Sequence, residues 1–306
     1  MKRQVTFKNN QTQMAGEFHM PPQFDEAAKY PTIVCAHPAG AVKEQSPAFY
    51  ATRLAAKGFV VLTFDASHQG ASGGEPRFLE NPFERVEDIR AAVDYLTTLP
   101  FVDPARIGAL GICAGGGYAI SAATTEKRIR AVAGVSPSDA GSAIREGWDG
   151  KMPVSDLTKM LEGVEAQRTA EANGAAPQYM GYVPESPDEN PFETFREAYW
   201  YYRTPRAQHP NSPNKVLFTS LDKLVAFSAT DRIDTLLTQP LLLVVGSKSD
   251  ARRFVDAYHE RAASKDKRLF VVEGATHVDL YDVPKYVNPA IGELATFFDR
   301  TLRAPS

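Results

Sequence analysis

The sequence predicts an α/β protein: a mostly parallel, doubly wound sheet with helices on both faces and an inserted helical cap. Three observations carry this. Short unbroken apolar runs, such as residues 32–36 and 240–245, suit strands covered on both faces rather than half-exposed ones. These runs alternate along the chain with helical stretches, and repeated βα units force parallel strands joined by crossovers. The alternation stops after Pro137 and resumes only at Pro240, which marks a long insertion. We therefore divide the chain into a core, 1–137 and 231–306, and a cap, 138–230.

Each element has a local reason. Residues 4–8 and 14–20 read as an antiparallel pair joined by the polar turn Asn9-Asn10-Gln11. Residues 32–36 are the first buried strand. Ser46 and Pro47 then open a helix, as cap and first-turn residue, and Gly58 closes it. After the strand 59–64, Asn81-Pro82 opens a helix through Leu99, with Val86, Ile89, Ala92, Val93 and Leu96 at helical spacing. Strands follow at 107–112 and 129–135. Within the insertion, 151–172 reads as helical, 174–190 is rich in proline and glycine, and 192–202 reads as an aromatic helix. A helix at 251–263, a strand at 268–272 and a helix at 289–302 close the chain.

With 306 residues, 43% of them hydrophobic, the chain can bury one large core. A net charge of −3 gives no footprint for nucleic acid or an anionic membrane. No segment reaches the roughly 20 apolar residues of a membrane span, and residues 1–7 lack a secretion signal. A cytoplasmic protein is expected, with Cys35 and Cys113 both reduced. The six histidines show no metal-ligand spacing, and no cofactor is expected.

Chemistry enters at Gly111-Ile112-Cys113-Ala114-Gly115, between an apolar strand and a run of small helical residues. G-x-C-x-G in that context is a nucleophile elbow with a thiol in place of the usual hydroxyl. The first amides of the following helix favour a negative charge, hence a thiolate at Cys113. A thiol nucleophile needs a base, and the base an orienting acid. His277, on a short loop after the last strand, is the expected base. Asp250, after the penultimate strand, is the expected acid, with Asp139 as its rival. The order nucleophile, acid, base is that of α/β-hydrolases. The oxyanion of acyl transfer needs two donors. The Ala114 amide is one, and the loop His37-Pro38-Ala39-Gly40 offers Ala39 as the other, with His37 orienting that loop. Glu44 is within reach of the thiol if the loop folds back. In the cap, Tyr199, Trp200 and Tyr202 are expected to wall an apolar acyl pocket, and the same aromatic helix offers a homodimer face. Phe192, Phe195, Phe218 and Phe227 fit either the pocket or ordinary packing.

Three stretches carry a family resemblance: Gly-Ile-Cys-Ala-Gly-Gly-Gly-Tyr-Ala (111–119), His-Pro-Ala-Gly-Ala-Val-Lys-Glu-Gln (37–45) and Phe-Asp-Ala-Ser-His-Gln-Gly-Ala-Ser-Gly-Gly (64–74). They resemble α/β-hydrolases related to dienelactone hydrolases. With Tyr-Tyr-Arg-Thr-Pro-Arg (201–206), the chain is similar to the Xaa-Pro dipeptidyl-peptidase-like subgroup, which includes fungal polyketide transferases. The resemblance spans nearly the whole chain. It implies the α/β-hydrolase fold, a Cys or Ser nucleophile, an acid after the penultimate strand and a histidine after the last. By motif position these are Cys113, Asp250 and His277. The thiol stands where proline-specific peptidases use serine, so peptidase chemistry is not expected. The function expected is a cofactor-independent hydrolase or acyltransferase for a small ester, lactone or thioester. The alternative is a ligand-binding member of the fold without turnover.

Overall fold

Strand pairing arranges the chain around one eight-stranded sheet. The structure, a computed structural model, describes residues 1–302. In chain order the elements are β1 (Lys2–Asn9), β2 (Thr12–His19), β3 (Tyr30–Ala36), α1 (Ser46–Ala55), β4 (Val60–Phe64), α2 (Pro82–Thr97), β5 (Val102–Ile112), α3 (Ala114–Thr125) and β6 (Ile129–Val135). There follow α4 (Ala140–Arg145), α5 (Val154–Ala172), β7 (Tyr179–Met180), α6 (Glu193–Tyr202), β8 (Val216–Leu217), α7 (Leu221–Ala226) and α8 (Ile233–Leu236). The chain closes with β9 (Leu241–Gly246), α9 (Arg252–Arg261), β10 (Lys267–Val272), α10 (Asp279–Asp282) and α11 (Pro284–Thr301).

The sheet order is β1-β2-β4-β3-β5-β6-β9-β10. β1–β2 and β2–β4 are antiparallel and every later pairing is parallel. This is the α/β-hydrolase fold expected from the sequence. The apolar runs divide between two covered faces because successive side chains of a strand point oppositely. Along β9, Leu241, Leu243 and Val245 join the cluster under α2, α3 and α9. Leu242 and Val244 join the one under α1 and α11.

Local signals hold with small shifts. Asn81 caps α2 by accepting from the Phe83 amide at 3.2 Å. Ser46 is the first helical residue of α1 rather than its cap. α11 begins at Pro284, with Pro289 inside it, because Pro284 already supplies a first-turn proline. α4, α7, α8 and the two-stranded pair β7–β8 were not anticipated; each is too short for a periodic pattern. Among the described residues no helix is long and apolar enough to cross a membrane.

The chain runs from β3 outward to β4, then returns to β5 on the other side of β3. Loops leaving β3 and β5 therefore diverge at their carboxyl ends, and the crevice they open is where such sheets bind ligands. Cys113 directly follows β5.

Candidate active site

The elbow is built by close approach. Cys113 has φ 55° and ψ −125°, a strained conformation for a side chain with a Cβ. Its amide donates to the Val135 carbonyl at 3.0 Å, and its carbonyl accepts from the Gly116 and Ser138 amides. A Cβ on Gly115 would sit 2.5 Å from the Ala36 carbonyl oxygen and 2.6 Å from that of His37. One on Gly111 would overlap the Gly115 carbonyl. Gly115 is therefore dictated by packing of α3 against the end of β3, and Gly111 by the tight turn from β5 into α3.

The sulfur lies in a polar cluster. Ser138 Oγ is 3.6 Å from Sγ. His277 and Tyr281 also hydrogen-bond to it. Tyr281, one helical turn after His277, has its hydroxyl 3.2 Å from His277 Nε2. Burial pushes the Cys113 thiol up, but the charge of His277 and hydrogen bonds from His277, Tyr281 and Ser138 outweigh it and bring the thiol down to about 7. Cys35, buried in β3 without such partners, is pushed upward by burial alone. Tyr281 went unnoticed in the sequence. Its spacing of four from His277 at a helix start was the available signal.

The expected acid is engaged elsewhere. Asp250 accepts from Trp148 Nε1 at 3.1 Å and from the Thr194 amide at 3.1 Å, and Thr194 Oγ1 also donates to it. Among the described residues it forms no hydrogen bond to His277, whose Nδ1 is buried with no partner. Asp250 nevertheless touches the base indirectly, because the Trp148 ring packs edge-on against the His277 ring with centroids 5.8 Å apart. Asp139, the rival, caps α4 by accepting from the Ser142 amide and also accepts from the Ala229 amide, each at 3.0 Å. A third carboxylate comes from the insertion. Glu197 lies against Thr276 and Val278, which bracket His277, and burial raises its proton affinity. One of its oxygens is buried without a partner.

Ala39 and Ala114 both line the cavity beside Cys113. Ala114 is the first residue of α3, and first-turn amides have no acceptor within their own helix. The Ala39 loop is held from several sides. His37 donates from Nδ1 to the Pro38 carbonyl at 2.7 Å and accepts the Ala66 amide at Nε2 at 3.0 Å. Burial drives its pKa well down, which fits a neutral ring in this orienting role. Ser212 Oγ donates to the Gly40 carbonyl at 2.5 Å, and Gln45 Nε2 to the Ala207 carbonyl at 2.8 Å. Glu44 pairs with Lys43 at 2.6 Å.

Above the sulfur lies a cavity of about 380 Å³. Tyr202, Phe192, Phe195 and Trp148 line it. Tyr199 and Trp200 do not, and Trp200 is 54% exposed. On α6, Thr194, Ala198 and Tyr201 are buried, so a helix turning about 100° per residue carries 199 and 200 away from the core. Phe218 joins a small cluster under α5, and Phe227 packs on Tyr118.

With this geometry, comparison with known proteins is specific. The pattern described as the alpha/beta hydrolase family matches residues 33–290. The uncharacterized protein YcjY of Escherichia coli is 44% identical over 305 residues, covering 99% of this chain and 100% of that one. The crystal structure of a hypothetical protein from Pseudomonas aeruginosa, PA2218, superposes with a TM-score of 0.91 at 34% identity, covering 98% of this chain and 94% of the other. The acyltransferase drtE of Aspergillus calidoustus is 26% identical over 290 residues, covering 92% and 90%.

Proposed function

This chain belongs to the alpha/beta hydrolase family, and on that footing we propose that it is a thiol hydrolase or acyltransferase acting through an acyl-cysteine. The observation that carries the reading is the thiol of Cys113, lowered by its neighbour His277, on a strained elbow that borders a cavity of about 380 Å³. His277 removes the thiol proton, and the thiolate attacks the carbonyl carbon of an ester, lactone or thioester. The Ala39 and Ala114 amides receive the developing oxyanion. As the tetrahedral adduct collapses, the bond to the leaving group breaks and His277 returns the proton to it. His277 then deprotonates water or an acceptor alcohol, which attacks the thioester and frees the sulfur. Asp250 supports the pair at one remove, by fixing the Trp148 indole against the imidazole. The likeness to an acyltransferase and the dienelactone-hydrolase-like motifs agree with this class.

The unpartnered Nδ1 of His277 favours a second reading, a ligand-binding member of the fold without turnover. Short p-nitrophenyl esters separate the two. The catalytic reading expects p-nitrophenol release, a mass increase equal to the acyl group on Cys113, and a loss of at least about a thousandfold in Cys113→Ala. Full activity in that variant, or no acyl adduct with any ester, removes it. Adding hexanol and measuring hexyl ester against free acid divides transfer from hydrolysis.

A further inference from the structure

We propose that the acyl chain this cavity accepts is uncharged and carries a hydroxyl group, which Glu80 recognises from the cavity wall. The inference rests on the acyl-enzyme reading above and narrows its substrate class.

The cavity wall contains no lysine, arginine or histidine. Apart from the Cys113 thiolate, the charge on this wall among the described residues is the carboxylate of Glu80, a residue only 1% exposed. An anionic chain would enter without a counter-ion and beside a fixed negative group, a combination that burial penalises heavily. Arg85, which pairs with Glu80 Oε2 at 3.4 Å, is not available to such a chain. It lies behind the wall, donates to the His37 carbonyl at 2.6 Å and stacks 4.9 Å over the Tyr118 ring.

The polarity of the remaining groups sets what they recognise. Tyr118 donates its hydroxyl hydrogen to Glu80 Oε1 at 2.8 Å, and Tyr182 donates to Oε2 at 3.0 Å. Both phenol hydrogens are thereby committed. A carboxylate has about four acceptor positions, and three are engaged here. What this cluster has left to offer is therefore acceptor only: one position on Oε1 and the lone pairs of two phenol oxygens. A substrate hydroxyl satisfies such a patch, whereas a second carboxylate would face the acceptors of Glu80. Most of the rest of the wall, including Trp148, Phe192, Phe195 and Leu224, is apolar, with Ser138, Asn190, Thr194, Tyr202 and Tyr281 as its other polar side chains.

The test uses p-nitrophenyl esters of six, eight and ten carbons in three forms: the plain acid, the ω-hydroxy acid and the half-ester of the dicarboxylic acid. For wild type, the hydroxy form is expected to exceed the plain form in kcat/KM by about tenfold at one chain length. The dicarboxylic half-ester is expected to fall at least about a hundredfold below the plain form. Tyr182→Phe frees a further acceptor on Glu80 and should widen the hydroxyl preference. Glu80→Gln should shrink the penalty on the dicarboxylic half-ester. If Glu80→Gln does not fold, the wild-type series and Tyr182→Phe decide. A half-ester used as well as the plain ester, or no hydroxyl gain at any length, overturns the inference while leaving acyl-cysteine chemistry standing. Absence of any acyl adduct on Cys113 overturns both.

Discussion

At the scale of the residue, the reactivity of Cys113 is decided by a contest between burial and three polar neighbours. Only the thiolate is nucleophilic. A thiol held near 7 is about half ionised at neutral pH, so its reactivity should fall on acidification through pH 7 and level off above it. Alkylation by iodoacetamide, followed by mass spectrometry from pH 5 to 10, should show that inflection. An inflection near the ordinary 8.5 would contradict the geometry. Tyr281→Phe removes one donor to the sulfur and should raise the inflection by about one unit, since hydrogen bonds to charged groups contribute about 1.5–3 kcal/mol. A phenol that merely filled space would leave the inflection in place. Cys35 should stay unalkylated in the folded protein, because it is fully buried and pushed away from ionisation.

At the scale of the element, the elbow was legible and the acid was not, for different reasons. The glycines around Cys113 answer a local steric demand, so the motif itself carries the geometry. Gly115→Ala should cost about 3 kcal/mol, because the new Cβ meets two backbone carbonyls that cannot rotate away. Thermal unfolding of the variant reads this directly. Asp250 could be placed after the correct strand, yet its partners, Trp148 and Thr194, lie 102 and 56 residues away in the insertion. No local pattern announces such a choice. The same holds for α6: its existence follows from composition, but consecutive aromatics at 199–202 give no phase, and Tyr199 and Trp200 were assigned to the wrong face. Asp250→Asn accordingly tests the geometry. With the carboxylate on Trp148 and Thr194, kcat should fall less than about tenfold. A fall near ten-thousandfold, the size seen when a triad carboxylate is neutralised, would mean that Asp250 meets His277 during turnover. Glu197→Gln beside it reports whether the carboxylate at Thr276 and Val278 serves the base instead.

For the molecule as a whole, the two halves are held by different physics. The sheet buries continuous apolar clusters on both faces, and its strands should open only with global unfolding. The insertion is fastened over the site by polar links, among them Asp250 to Trp148 and Thr194, Glu80 to Tyr182, and Ser212 to Gly40, and by side chains such as Trp148, Phe227, Ala198 and Tyr201 that join the two large clusters. Its longest helix, α5, buries only Val164, which packs with Leu221 and Leu224 in a small separate cluster. Leu221, Leu224 and nearby Ile144 also line the cavity, so part of the pocket wall is made by the residues on which α5 rests. Apolar contact with an acyl chain should therefore stabilise the insertion far more than the sheet, because the sheet has no unfilled apolar surface to offer. Hydrogen exchange checks this. In the free protein, α5 amides should exchange orders of magnitude faster than those of β3, β5 and β6. Trapping an octanoyl group on Cys113 should slow exchange in α4, α5 and α7 while leaving the sheet strands unchanged. Equal protection of α5 and the sheet before acylation, or no change in the insertion after it, would show that the insertion is already fixed without an acyl chain.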